Sequence, residues 1–159
     1  MSDFKFPTEE VELPSKGLIY PESNPLSSGK VELKYMTAKE EDILSNQAYI
    51  QKGVVLDKLL KSLIVNKDIK IDDLITGDKN AIFIASRILG YGKDYNVSIK
   101  DIEYTLDLSK LENKEFDESS ITKGTNLFSY TMESSGTIIE YKILTGRDEK
   151  SIEREIEAL

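Results

Sequence analysis

Three runs of adjacent carboxylates, Glu40-Glu41-Asp42, Asp72-Asp73 and Asp148-Glu149, invite a chemical reading. Neighbouring carboxylates can hold Mg²⁺ or divide general acid and base work between them. Each cluster also stands at a predicted helix start, where the positive end of the helix dipole favours negative charge. That structural role accounts for all three, so no metal, catalytic or cofactor residue is assigned. The chain has no Cys and no His. Zinc ligation by Cys and His, a Cys nucleophile and a His base are therefore excluded. An enzyme would have to rely on Asp, Glu, Lys, Ser, Thr or Tyr, and a Mg²⁺-dependent carboxylate enzyme is carried only as a rival to a binding role.

Two other places invite a chemical reading. Gly90-Tyr91-Gly92-Lys93 lacks the spacing of a phosphate-binding loop and follows a helix instead of a strand, so it reads as a helix-ending turn. Arg87 lies on an otherwise apolar helix, four residues after Phe83. It is either a snorkelling surface residue or the partner of a carboxylate at an interface. The stretch from Leu13 to Pro21, LPSKGLIYP, is apolar and stiffened at both ends by proline. Ser15-Lys16-Gly17 reads as a turn, with Gly17 supplying a positive φ. The stretch fits a first strand packed on its own domain. It also fits a recognition arm that adds to a partner's sheet edge, and Leu13, Pro14, Gly17, Leu18, Tyr20 and Pro21, with Arg87, are then the partner-binding candidates.

The elements that position these residues follow from periodicity. Val31, Leu33 and Tyr35 alternate with Glu32 and Lys34, as in a half-buried strand. Thr37 and Glu40 form a capping-box pair that opens a helix running to about Lys52, with Gly53 as its stop. A second helix, from about Val54 to Val65, carries a wide apolar stripe. A third runs from Gly77 to Gly90 with Asp78 as N-cap. Tyr95 to Ile99 and Ile102 to Leu108 flank Lys100-Asp101 and read as a hairpin. Residues 109–125 are polar and read as loop. Phe128 to Met132 and Thr137 to Leu144 form a second hairpin around Ser134-Ser135-Gly136. The last helix, from Gly146 to about Leu159, is expected to bury Ile152, Ile156 and Leu159. Ser27 to Leu44 and Ser134 to Ile152 share one order of signals: Ser-Ser-Gly, a strand, a Thr cap and an acidic first turn.

The fold class expected is α+β, with antiparallel strands and hairpins, a central group of about three helices and a C-terminal helix. Residues 1–10 read as an arm on which Phe4 and Phe6 could dock. Residues 11–159 read as a single domain, divisible into 11–93 and 94–159. The 159 residues carry 29 acidic and 21 basic side chains, a formal net charge of −8. That balance disfavours nucleic acid as a partner. No apolar run approaches the length that spans a bilayer, and MSDFKFPTEE has no signal-peptide core, so a cytoplasmic protein without membrane contact is expected.

LPSKGLIYP, SGKVELKYMTAKEEDIL, GVVLDKLLKSLI, GDKNAIFIASRILGYGKDY and EYKILTGRDEKSI, in that order, resemble the baseplate hub proteins of T-even-type tailed bacteriophages. The likeness covers most of residues 11–155. The Pro-Gly stretch followed by a Thr-capped acidic helix is also similar to tail assembly chaperones, which attend the tape-measure protein. The resemblance implies a non-enzymatic role in building a contractile tail, with other hub or tail proteins as partners and no small-molecule substrate. The host cytoplasm during assembly is the implied location, and residence in the finished virion stays open. Many family members carry a Cys-x-x-Cys pair where this chain has Val97 to Tyr104, VSIKDIEY, so no metal knuckle is carried over and a shortened hairpin is expected there.

Overall fold

The core forms on β2 (Lys30–Lys34), whose Val31 and Leu33 are buried while Lys30 and Glu32 face outward. Alternation of this kind puts one face of a strand against apolar neighbours. β1 (Thr8–Glu12) pairs with β2 antiparallel, from Thr8 opposite Lys34 to Glu12 opposite Lys30. The computed structural model describes residues 7–159. Thr8–Glu10 are thus strand and not part of a loose arm, because the edge of β2 offers them backbone partners. Phe4 and Phe6 lie outside the described residues.

Between β1 and β2 the chain coils through successive turns. Lys16 donates to the Leu13 carbonyl, Leu18 to that of Ser15 and Tyr20 to that of Gly17. No strand forms over Leu18–Tyr20, since the N–H groups of Leu18 and Tyr20 are taken up in these turns. Gly17 (φ 74°) and Gly29 (φ 73°) meet back to back. A Cβ on Gly17 would stand 2.5 Å from the Gly29 nitrogen, and one on Gly29 would stand 2.6 Å from the Lys16 carbonyl oxygen. Only residues without a side chain allow that approach.

α1 (Ala38–Ser45) and α2 (Gln47–Gln51) replace the one helix expected over 38–52. The break is Asn46, which is extended and whose side chain accepts from the Tyr49 N–H, capping α2. α3 (Val55–Leu63) buries Leu59, Leu60 and Leu63. α4 (Thr76–Tyr91) starts two residues before Asp78, so Asp78 lies within the first turn instead of capping it. Among the described residues, the fourteen buried apolar ones all fall between Leu13 and Ile82.

The remainder is antiparallel hairpins and a final helix, which makes the chain α+β. β3 (Asp94–Ile99) and β4 (Ile102–Asp107) pair from Asp94 opposite Asp107 to Ile99 opposite Ile102. Lys100 and Asp101 have φ of 50° and 61°, the two-residue turn that matches strand twist. β5 (Phe128–Thr131) pairs with β6 (Ile138–Tyr141), and α5 (Gly146–Glu157) follows. From Tyr91 to Leu159, Gly146 is the only buried residue. Ile152, Ile156 and Leu159 are exposed, contrary to the expectation that they are buried. α5 is held at its start, against Ile71–Asp73, and its later turns have no neighbour to bury against. Among the described residues no helix is long and apolar enough to cross a membrane.

Candidate protein-interaction site

The Leu13–Pro21 stretch is a fastening of the core. Leu13, Gly17 and Tyr20 are buried, Pro14 and Leu18 are half-buried, and Pro21 is exposed. The Tyr20 hydroxyl donates to Asp78 Oδ2 at 2.7 Å and accepts from the Ile75 N–H at 3.1 Å. Asp78 also accepts from the Ser15 N–H at 2.9 Å and from Ser15 Oγ at 2.6 Å. One fully buried carboxylate thus ties the coil before β2 to the start of α4. Burial, with Asp78 beside it, pushes the Tyr20 phenol well above its usual range. The expectation that this stretch is exposed for docking fails for Leu13, Gly17 and Tyr20. The prolines leave no open row of backbone groups, because the turns close on themselves.

Among the described residues Arg87 pairs with no carboxylate. Its guanidinium donates to the carbonyls of Gly92 at 3.0 Å and Asp94 at 3.4 Å, and lies over the rings of Tyr91 and Tyr95 at 5.0 and 5.7 Å. A cation at a helix C-terminus satisfies orphan carbonyls, and here it also fixes where β3 departs.

The acidic clusters are occupied by cations and caps. Glu40, fully buried, accepts from Lys34 Nζ at 2.6 Å, from Ser62 Oγ at 2.5 Å and from both the N–H and the hydroxyl of Thr37. Burial alone would raise its carboxyl; the bonds from Lys34, Ser62 and Thr37 overcome that and hold it at about 2. Asp72 meets Lys150 at 2.5 Å and Asp73 meets Arg147 at 2.7 Å. Asp148 takes Lys142 at 2.6 Å and the Thr145 N–H at 3.0 Å.

What the molecule leaves open lies elsewhere, and in two forms. The first is apolar. The pairs Tyr95–Leu106, Val97–Tyr104 and Ile99–Ile102 occupy one face of the β3–β4 hairpin, with Asn96, Ser98, Glu103 and Thr105 on the other. Five of those six apolar residues are between 43 and 58% exposed. In β5–β6, Phe128 stacks on Tyr141 at 5.5 Å, and Tyr130 faces Ile139 across the strands. Tyr130, Ile139 and Tyr141 are all exposed.

The second form is a basic cleft. Two cavities, of about 440 and 820 Å³, share Lys58, Lys61 and Lys67 as a common wall beside α3. Lys34, Lys39, Lys70, Arg147 and Lys150 complete eight cations around them, against the carboxylates of Glu32, Asp57 and Asp72. Ile43, Ile64, Val65, Ile69 and Ile71 supply apolar lining. Burial, then the neighbouring charges of Lys34 and Lys39, push the Lys67 ammonium below its usual range. The hairpin face comes from one short stretch of sequence, and the cleft does not. The alternation of β3–β4 is legible there, but the convergence of lysines from β2, α1, α3 and the loop after it is not. Comparison with protein-family models, with curated proteins and with solved structures gives no match.

Proposed function

We propose that this protein acts without catalysis, by binding other proteins during assembly, and that the assembly is the hub of a contractile-tail phage baseplate. The first half rests on one observation: the β3–β4 hairpin is fully segregated into an apolar and a polar face, and the apolar face is uncovered. A lone two-stranded hairpin is marginal in water, and contiguous exposed apolar surface marks a place where another molecule sits. The hub assignment rests on the sequence resemblance given above. The test is a double substitution, Ile102→Asp with Tyr104→Asp, assayed for binding to separately purified hub and tail proteins beside a melting curve. Loss of binding with unchanged melting supports the reading; unchanged binding to every one of those proteins overturns it. Presence of the protein in purified particles would make it a virion component, and absence would make it a chaperone that leaves before completion.

A further inference from the structure

We propose that the lysine-lined cleft beside α3 receives the C-terminal half of α5 from a second copy of the chain. Both halves of the contact are on the molecule. On the receiving side, Lys39, Lys58, Lys61, Lys67 and Lys70 form no ion pair among the described residues, although the chain carries an excess of acid. Five unneutralised ammonium groups on one cleft repel each other, and an incoming anion relieves that repulsion. The cleft also has apolar lining at Ile43, Val65 and Ile69, so its occupant carries aliphatic side chains as well as carboxylates.

The C-terminal half of α5 has that composition. Ile152 and Ile156 lie four apart, one helical turn, and both are exposed. Glu153, Glu155 and Glu157 surround them, and every residue from Ser151 to Leu159 is exposed. The helix is preformed: its Thr145–Asp148 capping box and the Gly146 N–H bond to the Leu74 carbonyl at 3.0 Å fix its first turn. A preformed ligand binds with less loss of conformational entropy. The helix cannot fill the cleft of its own chain, because Arg147 and Lys150 are already part of that cleft's wall. Lys150 is tied there to Asp57 at 2.9 Å and Asp72 at 2.5 Å, which leaves the distal turns directed away from the body.

Nucleic acid fits less well. The lining cations are lysines apart from Arg147, which is paired with Asp73, and Glu32, Asp57 and Asp72 at the margins would repel a continuous phosphate backbone. Because α5 contributes to both surfaces, reciprocal exchange of α5 between two copies is the simplest closed arrangement.

The experiment is sedimentation velocity of the full chain over a range of concentrations and at low and high salt, with thermal melting as a folding control. The wild type should associate at low salt, and the association should weaken at least about tenfold in high salt. Lys39→Glu with Lys61→Glu should give a folded monomer, as should Glu153→Lys with Glu157→Lys. Mixing those two monomeric variants should restore association, since each then offers what the other's surface lacks. Ile102→Asp with Tyr104→Asp should leave association intact, which separates this contact from the hairpin face. A wild type that is monomeric throughout overturns the proposal, as does association indifferent to both charge reversals. A monomer that instead binds a 20-mer DNA or a synthetic oligoglutamate peptide at the cleft also overturns it and assigns the site to that class of anion.

Discussion

The segments β1–β2–α1 and β5–β6–α5 are built from the same local parts and end in different environments. In each, a strand pair is followed by a helix with a Thr N-cap. Gly29 at φ 73° and Gly136 at φ 68° open β2 and β6. Thr37 pairs with Glu40 and Thr145 with Asp148 in capping boxes. A lysine six residues before each acid closes on it at 2.6 Å, Lys34 on Glu40 and Lys142 on Asp148. Yet Val31, Leu33 and Glu40 are buried, whereas Ile138, Ile139, Tyr141 and Ile152 are exposed. The difference is the cover. α3 lies across α1 and supplies Ser62 to Glu40, whereas among the described residues none covers the distal turns of α5, which are exposed throughout. Local signals specify local conformation; burial is decided by what the rest of the chain brings.

The largest effect that separates the two regions is expected at a pair of tyrosines. Tyr20→Ala removes a buried ring, takes one of the three bonds from Asp78 and leaves the Ile75 N–H without its acceptor, and should cost about 4 kcal/mol. Tyr20→Phe keeps the ring and loses the hydroxyl, and should cost about 1–3 kcal/mol. Tyr130→Ala, on the exposed β5, should stay within about 0.5 kcal/mol. Urea unfolding of the three variants checks the order, and equal losses at Tyr20 and Tyr130 would dissolve the contrast. Gly17→Ala belongs with the large effects, at about 3 kcal/mol or more, because its Cβ has no room against the Gly29 backbone and its φ is positive.

The matched carboxylates give the next test. Both Glu40 and Asp148 are held at about 2, Glu40 by hydrogen bonds that overcome its burial and Asp148 by Lys142 and Thr145. A carboxyl depressed in the folded state stabilises above its unfolded value and loses that contribution as pH falls through the folded one. Stability should therefore be level above about pH 5 and fall steadily toward pH 2. Glu40→Gln, which leaves the Lys34 ammonium without its buried partner, should cost about 2–4 kcal/mol at pH 7 and flatten much of that slope. Asp148→Asn, at a half-buried carboxylate whose Lys142 partner stays largely in water, should change both by less than Glu40→Gln does. Denaturant titrations from pH 2 to 7 would show it, and equal slopes in the two variants would mean that burial of Glu40 does not set its contribution.

What could be read in the sequence was local. The Lys100-Asp101 turn, the positive φ at Gly17, the Thr37 box and the stripe of α3 depend on residues within a few positions of each other. Asp78 shows where that reading fails. An acid after Gly77 near a helix start reads as a cap, but Ser15 and Tyr20, far away in sequence, recruit it into the core. Asn46 breaks a helix whose apolar spacing alone gave no sign of interruption, by capping the next one. The amphipathic stripe of α5 was readable as such; that it has no cover inside the chain was not, since periodicity marks an apolar face without naming its partner. The cleft is the extreme case, because its lysines become neighbours only once β2, α1 and α3 are assembled.

The smallest effect is expected in the β3–β4 hairpin. Its six apolar residues would be core by their alternation, and substituting core positions normally costs several kcal/mol. Here the face is uncovered, so Ile102→Ser or Leu106→Ser removes little contact with the rest of the protein. Each should shift stability by no more than about 0.5 kcal/mol. The Arg87 bonds to Gly92 and Asp94 hold only the base of the hairpin, so amides near Lys100 should exchange with solvent far faster than those of α3. Slow exchange along the whole of β3–β4 in the isolated protein, together with losses near those of Tyr20→Phe, would mean that the apolar face is already covered. In that case the two regions of the molecule would not differ in their cover, and the hairpin would be structure instead of interface.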